Sequence, residues 1–168
     1  TVNLTAGVQR HVANGRYQNA GFESWSVRTR LRWNPGDRFN VLLTYLYTDA
    51  LVGMNGGIFT DSTFSIYEPA SATVRFPNAR EETGRHDVTA VAAVRPLADS
   101  SWTTTLRLFT TSAERTYVDP SFRTWETLGS YAWNRLGARI EQWIDHPLHS
   151  TVVTVHGERR HVEADTLL

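Results

Sequence analysis

The sequence predicts an all-β fold in which antiparallel strands follow one another as an up-and-down meander. Three observations predict it. Side chains alternate between polar and apolar with a period of two, turn residues separate the alternating segments, and the connections between segments alternate between short and long. About seven such segments account for most of the chain.

The clearest hairpin occupies residues 24–48. Its first strand places apolar side chains on one face and Arg28, Arg30 and Arg32 on the other, and a strong turn sequence follows at 34–37. The second strand alternates in the same way. The predicted apolar face of the two strands comprises Trp25, Val27, Leu31, Trp33, Phe39, Val41, Leu43, Tyr45 and Tyr47.

The alternation also predicts a register for this hairpin. Directly opposed residues of antiparallel strands share a face, so apolar side chains should oppose one another, which requires an odd loop at 34–38. A two-residue turn at Pro35-Gly36 would set tryptophan opposite arginine. The predicted partners are Trp33–Phe39, Leu31–Val41, Thr29–Leu43, Val27–Tyr45 and Trp25–Tyr47.

Further strands are predicted at 2–12, 86–95, 102–113 and 149–162. The segment 124–144 is ambiguous, because its aliphatic residues also recur at the spacing of a helix face. A strand there requires a bulge near Asn134, where the alternation changes phase. Strand is the preferred interpretation.

The connections show a consistent asymmetry. Short turns are predicted near 34–38, 96–100 and 145–148, whereas a long polar loop spans 51–83 and smaller loops lie near 13–21 and 114–123. Short turns at one end and long loops at the other are typical of bacterial outer-membrane barrels, which place the short turns in the periplasm.

Composition narrows the function classes. No apolar stretch approaches the roughly 18–20 residues of a membrane-spanning helix, and the absence of cysteine excludes disulfide scaffolds and thiolate metal sites. Seventeen basic residues balance seventeen acidic ones, so no bulk charge favours nucleic acid. No common catalytic motif is present, and we expect neither an enzyme nor a cofactor.

The two faces of the hairpin favour a membrane β-barrel. Trp25 and Trp33 lie about 26 Å apart along the strand, or roughly 19 Å of bilayer depth at a 45° tilt, which approaches the ~25 Å apolar band with its aromatic girdles. Unpaired charges inside a closed dry core would cost several kcal/mol, so the arginines suit a wet lumen. The expected lumen-facing residues are Arg28, Arg30, Arg32, Asp87, Arg107, Arg139 and Glu141. A soluble β-sandwich binding module, such as a carbohydrate-binding one, and a plugless porin-like barrel are the alternatives.

Two segments carry a family resemblance: GFESWSVRTRLRWNPGDRF at 21–39 with YLYTD at 45–49, and HSTVVTVHGERR at 149–160. Both resemble barrel strands of TonB-dependent outer-membrane receptors. The resemblance implies a barrel of about 22 strands in the bacterial outer membrane, filled by a plug domain that a TonB-type energy-coupling protein pulls. It implies uptake of a scarce solute, such as a ferric siderophore, cobalamin or a sugar.

The plug has no counterpart in the sequence, so residues 1–168 are expected to be an internal part of such a barrel. Lipid, the plug and the remaining strands would be its partners. The expected solute contacts lie in the long loop, which mixes rings with polar groups as a recognition surface does; they are Asn55, Phe59, Tyr67, Glu68 and Arg75. This mixture suits an anionic, ring-bearing chelate. His146 and His149 flank a proline turn, where we expect an ordinary polar turn rather than a metal site.

Overall fold

The chain folds as one antiparallel sheet of seven strands in sequence order. The structure, a computed structural model, describes residues 1–59, 72–96, 101–120 and 127–165, with the backbone alone at 127 and 128. The predicted all-β up-and-down meander is confirmed. The strands are β1 (Val2–Ala13), β2 (Phe22–Gly36), β3 (Phe39–Gly53), β4 (Arg80–Val94), β5 (Trp102–Val118), β6 (Thr127–His146) and β7 (His149–Asp165).

The described residues form a single layer. Three apolar residues are buried among them, of which Val74 and Ala79 lie in the long loop and Ala113 in β5. No described segment covers either face of the sheet, and large apolar side chains such as Val8 stay exposed, at 67%. No described helix is long and apolar enough to cross a membrane.

The register of the β2–β3 hairpin differs from the prediction by two residues. Because the displacement is even, the same side chains share each face as predicted. The observed partners are Trp33–Val41, Leu31–Leu43, Thr29–Tyr45, Val27–Tyr47 and Trp25–Asp49.

The predicted odd loop at 34–38 is also wrong. The chain turns at Asp37-Arg38, and β2 continues to Gly36 through a bulge that begins after Trp33. The bulge opposes two residues of β2, one of them Pro35, to a single residue of β3. It therefore restores the parity that a two-residue turn alone would break, and a proline without an N–H is tolerated there.

Residues 127–146 form one strand, so the strand interpretation of this ambiguous segment is confirmed. The predicted bulge near Asn134 is wrong, since the pairing of β6 with both neighbours runs through that position without a shift. No phase change is needed because Trp133 lies on the face opposite Leu136. There its ring contacts the guanidinium of Arg85, with Cζ 5.5 Å from the ring centroid.

Two-residue turns join β2 to β3 and β6 to β7 at one end of the sheet, and the β1–β2 and β3–β4 connections at the other end are longer, as predicted. The predicted turn at 96–100 lies mostly outside the described residues, and the predicted loop at 114–123 begins later because β5 extends to Val118. The long loop is shorter than the predicted 51–83, because β3 extends to Gly53 and β4 begins at Arg80. Hydrogen bonds from the Met54 N–H to the Ala79 carbonyl and from the Phe76 N–H to the Asn55 carbonyl form a stem at its base.

The sheet is open, with β1 and β7 at its edges. Each edge strand pairs with one described neighbour, β2 or β6. Since five strands lie between them and neighbouring strands alternate in direction, β1 and β7 run in the same direction. They could therefore not pair with each other in antiparallel fashion.

Candidate functional site

The pairing places all seven predicted lumen-facing residues on one side of the sheet, here called the polar face. One row of direct partners runs from Arg32 through β3 and β4 to Arg107 and Arg139. A neighbouring row links Arg28 with Asp87. Arg30 and Glu141 share the face because they stand two residues from Arg32 and Arg139.

On β4–β7 the polar face is a network of ion pairs. The Arg85 guanidinium donates to both carboxylate oxygens of Asp87, at 2.8 Å from Nε and 3.0 Å from Nη2. The Thr111 hydroxyl donates to the same carboxylate at 2.7 Å. The Glu141 carboxylate accepts from Arg139 at 2.7 Å and from the Trp143 indole at 2.6 Å.

Glu158 is the centre of a second cluster on this face. Its carboxylate accepts from Arg135 at 2.8 Å and from Arg160, and the His156 ring nitrogen lies 3.5 Å away. The Arg135 guanidinium stands 4.8 Å above the ring of Phe109. That ring lies against the backbone of a glycine, Gly137, which leaves room for it.

Arg28, Arg30 and Arg32 differ from these arginines. They are exposed, and none of them forms an ion pair with a described residue. The polar face of β1–β3 carries no carboxylate at all. The three guanidinium groups are thus available to an acidic partner or solute.

The opposite side, here called the apolar face, holds all nine residues predicted to face lipid. The Trp33 and Phe39 rings meet edge to face at 6.0 Å between centroids, although the residues are not direct partners. Tyr47 and Tyr45 lie beside His86 on β4, and the Tyr45 hydroxyl is 2.9 Å from its Nδ1.

A hydrogen bond and a cation–π contact hold Trp25 at the loop end of this face. Glu23 accepts hydrogen bonds from Arg10 at 2.8 Å and from the Trp25 indole at 2.9 Å, and the Arg10 guanidinium lies 5.3 Å from the indole ring centroid. Charge thus begins immediately beyond the tryptophan.

The loop candidates are partly brought together. Phe59 and Arg75 face each other across the stem, with the guanidinium 5.7 Å from the ring centroid. Asn55 has a structural role, because its Oδ1 accepts a hydrogen bond from the Gly57 N–H at 3.0 Å. Tyr67 and Glu68 lie outside the described residues.

Asn19 is a loop residue that sequence reasoning missed. Its Nδ2 donates to the carbonyls of Phe76 at 2.9 Å and Ala79 at 2.6 Å, so it ties the β1–β2 loop to the base of the long loop. Asn19 has a positive φ of 52°. Asparagine in a turn tolerates that conformation, but nothing local indicates partners some 60 residues away.

The histidines give no metal site in the described part of the chain. His146 and His149 are direct partners beside the turn, with ring centroids 5.0 Å apart. His156 and His161 lie on opposite faces, as their odd spacing predicts. No group of three potential ligand side chains comes together among the described residues.

Comparison of the chain with protein-family models, with curated proteins and with solved structures found no match.

Proposed function

We propose that this chain is part of a bacterial outer-membrane β-barrel of the TonB-dependent receptor type. In this proposal the apolar face meets lipid and the polar face lines the lumen. The complete receptor takes up a scarce solute, such as a ferric siderophore or cobalamin, with energy supplied through its plug. The proposal rests on the resemblance of the strand sequences and on the distribution of polarity over the sheet.

The observation that carries the membrane assignment is an apolar band that ends in charge on the loop side. On the apolar face, the first charged residue at the loop end is Glu23 on β2, Asp49 on β3, Glu82 on β4 and Glu114 on β5. Through the cross-strand partners these residues stand within two residues of one level. On β7 the first such residue is Arg159, which is level with Thr29.

Aromatic rings mark the turn end of the band. Trp33 on β2 is level with Leu106 on β5, and Trp102 stands four residues beyond Leu106 toward the turns. Aromatic rings at the rim of an apolar band are typical of membrane β-barrels.

The exposure of the apolar face supports lipid as its environment. On β1 the side chains of Val2, Leu4 and Val8 are between 66% and 68% exposed, and Leu136 on β6 is 63% exposed. Soluble proteins rarely expose such a contiguous apolar surface. A soluble sandwich would need a second layer here, and the described residues provide none.

The unpaired arginines favour a barrel with a plug over an empty porin. Arg28, Arg30 and Arg32 line one strand with no carboxylate on their side of β1–β3. An acidic surface inside the lumen would pair with them through charge-assisted hydrogen bonds. In the same proposal, Phe59 and Arg75 contact the solute from the loop end, where an aromatic ring and a guanidinium suit an anionic, ring-bearing chelate.

The open edges fit a sheet that continues. Since β1 and β7 run in the same direction, an all-antiparallel barrel that contains these strands once requires an odd number of further strands. A barrel leaves no edge unpaired, which is obligatory in lipid.

Depth-dependent fluorescence quenching tests the membrane assignment. Variants that keep one tryptophan each, with phenylalanine at the others, are refolded into vesicles of lipids brominated on the acyl chains. We expect strong quenching of Trp33 and Trp102 on the apolar face. Trp133 and Trp143 on the polar face serve as matched controls and should be quenched weakly.

Equal quenching of both groups would contradict the proposal. Refolding to a monomer in buffer without detergent would also overturn it, and would favour the soluble binding module.

A further inference from the structure

A cleft of about 300 Å³ lies on the polar face between β4 and β7. Its lining includes Arg85 and Asp87 on β4, Arg107 on β5, Arg135 and Arg139 on β6, and the imidazole of His156 on β7. The ring of Phe109 forms part of its floor.

Two arginines face each other across this cleft. Arg107 is the direct partner of Arg139, and Arg139 is the direct partner of His156. Like charges directly opposite each other destabilise a strand pair unless an anion lies between them. The Glu141 carboxylate bonds Arg139 and Trp143, and Arg107 acts on it only through a longer-range charge interaction without an ion pair.

Arginines outnumber carboxylates in the lining of the cleft. Four arginines and one carboxylate, Asp87, line it, while Glu141 and Glu158 bond Arg139 and Arg135 from outside the lining. Each carboxylate is held by at least one arginine, whereas Arg107 forms no ion pair with a described residue. Arg107 is therefore the arginine of the cleft that makes no direct ion pair with a described carboxylate.

Arg135 provides a second, independent observation. Its Nε is buried and has no hydrogen-bond partner among the described residues, although its Nη2 bonds Glu158. The Phe109 ring lies beneath this guanidinium and restricts its position. A buried donor without an acceptor costs free energy that an entering oxygen would recover.

We propose that this cleft binds an oxyanion, the phosphate or carboxylate group of a small solute. Arg107 and Arg139 would bind it from two strands, and the free N–H of Arg135 would donate from one side. Guanidinium groups suit such anions because their planar N–H groups match the geometry of the oxygens. The inference extends the proposed function by naming an anionic group on the transported solute. The site itself requires only that water reaches the polar face.

Calorimetric titration with inorganic phosphate and with citrate tests the site. The full 168-residue chain, refolded in uncharged detergent micelles at low ionic strength, should bind at least one of the two saturably. Arg107→Gln should weaken this binding about tenfold or more, because a charge-assisted contact is lost. Arg107→Lys should recover part of it.

Arg159→Gln is the matched control, since it removes the same charge from the apolar face of the same sheet. It should leave binding unchanged. Equal weakening by both variants, or no saturable binding by a folded chain, would overturn the proposal. Displacement of bound citrate by an acidic peptide but not by phosphate would assign the cleft to a protein carboxylate instead of a small solute.

The outcome of the phosphate and citrate titration does not depend on the membrane assignment. Loss of phosphate and citrate binding would leave the quenching pattern of the tryptophans intact. Conversely, a chain that proves soluble could still bind the anion on its polar face.

Discussion

The two faces of the sheet are formed by the same strands but carry opposite kinds of side chain. The apolar face has few polar contacts between its strands and a band of aliphatic and aromatic side chains with charge only beyond its edges. The polar face carries ion pairs across and along the strands, from Asp87 to Glu158. Because adjacent residues of a strand face opposite sides of the sheet, the same substitution should have a different effect on stability at two neighbouring positions.

The polar face is itself divided into two halves. On β4–β7 nearly every arginine has a carboxylate within an ion-pair distance, whereas on β2 three arginines have none among the described residues. The first half thus has most of its arginines paired within the chain, Arg107 being the exception. The second half presents three exposed guanidinium groups without a carboxylate among the described residues, so an acidic group could pair with them.

The largest expected effect distinguishes the two faces directly. Leu43→Arg places a charge in the middle of the apolar band and should lower the free energy of unfolding in lipid vesicles by about 2–4 kcal/mol. Leu46→Arg on the same strand is the control, because Leu46 lies on the polar face opposite Asp87. Guanidinium unfolding followed by tryptophan fluorescence measures both. A harmless Leu43→Arg would contradict lipid contact.

Period two was sufficient to predict these faces. Arg28, Arg30 and Arg32 alternate with Trp25, Val27 and Leu31 so regularly that any antiparallel pairing with matched parity yields the same two surfaces. The exact register was not predictable, because the bulge at Pro35 and the turn at Asp37-Arg38 satisfy the same parity as a longer odd loop.

The other features that could not be predicted from the sequence have different physical causes. Trp133 lies on the polar face, where an indole beside a guanidinium is also stable, so the side of this residue could not be inferred from its type. Asn19 bonds carbonyls that lie about 60 residues away, and local patterns carry no information on such contacts. The convergence of Arg107, Arg139 and His156 depends on the pairing of three strands.

Alanine substitutions at two glycines, one on each face, test the same comparison with a smaller expected effect on the free energy of unfolding. A Cβ on Gly137, on the polar face, would stand 2.2 Å from the Cζ of Phe109, whereas nothing lies within 4 Å of a Cβ on Gly157, on the apolar face. Gly137→Ala must displace the ring from its contact with Arg135, so we expect a loss of about 1–3 kcal/mol in the unfolding free energy.

Gly157→Ala should change this free energy little, and equilibrium unfolding in the same detergent compares the two variants. Equal effects would show that the Phe109 ring does not occupy the space over Gly137. The packing of the polar face around Arg135 would then need revision.

The smallest effect separates the two halves of the polar face. Arg85→Gln breaks a bidentate salt bridge with Asp87. It should lower the free energy of unfolding by about 0.5–1 kcal/mol, since the pair is partly exposed and screened by solvent. Arg30→Gln removes the middle of three like charges that have no acid on their face of β1–β3, so it should cost nothing at low salt. Unfolding at 20 mM and 500 mM sodium chloride measures both, and the effect of Arg85→Gln should shrink at high salt. A loss from Arg30→Gln as large as that from Arg85→Gln would mean that the β2 arginines already have an acidic partner within the chain.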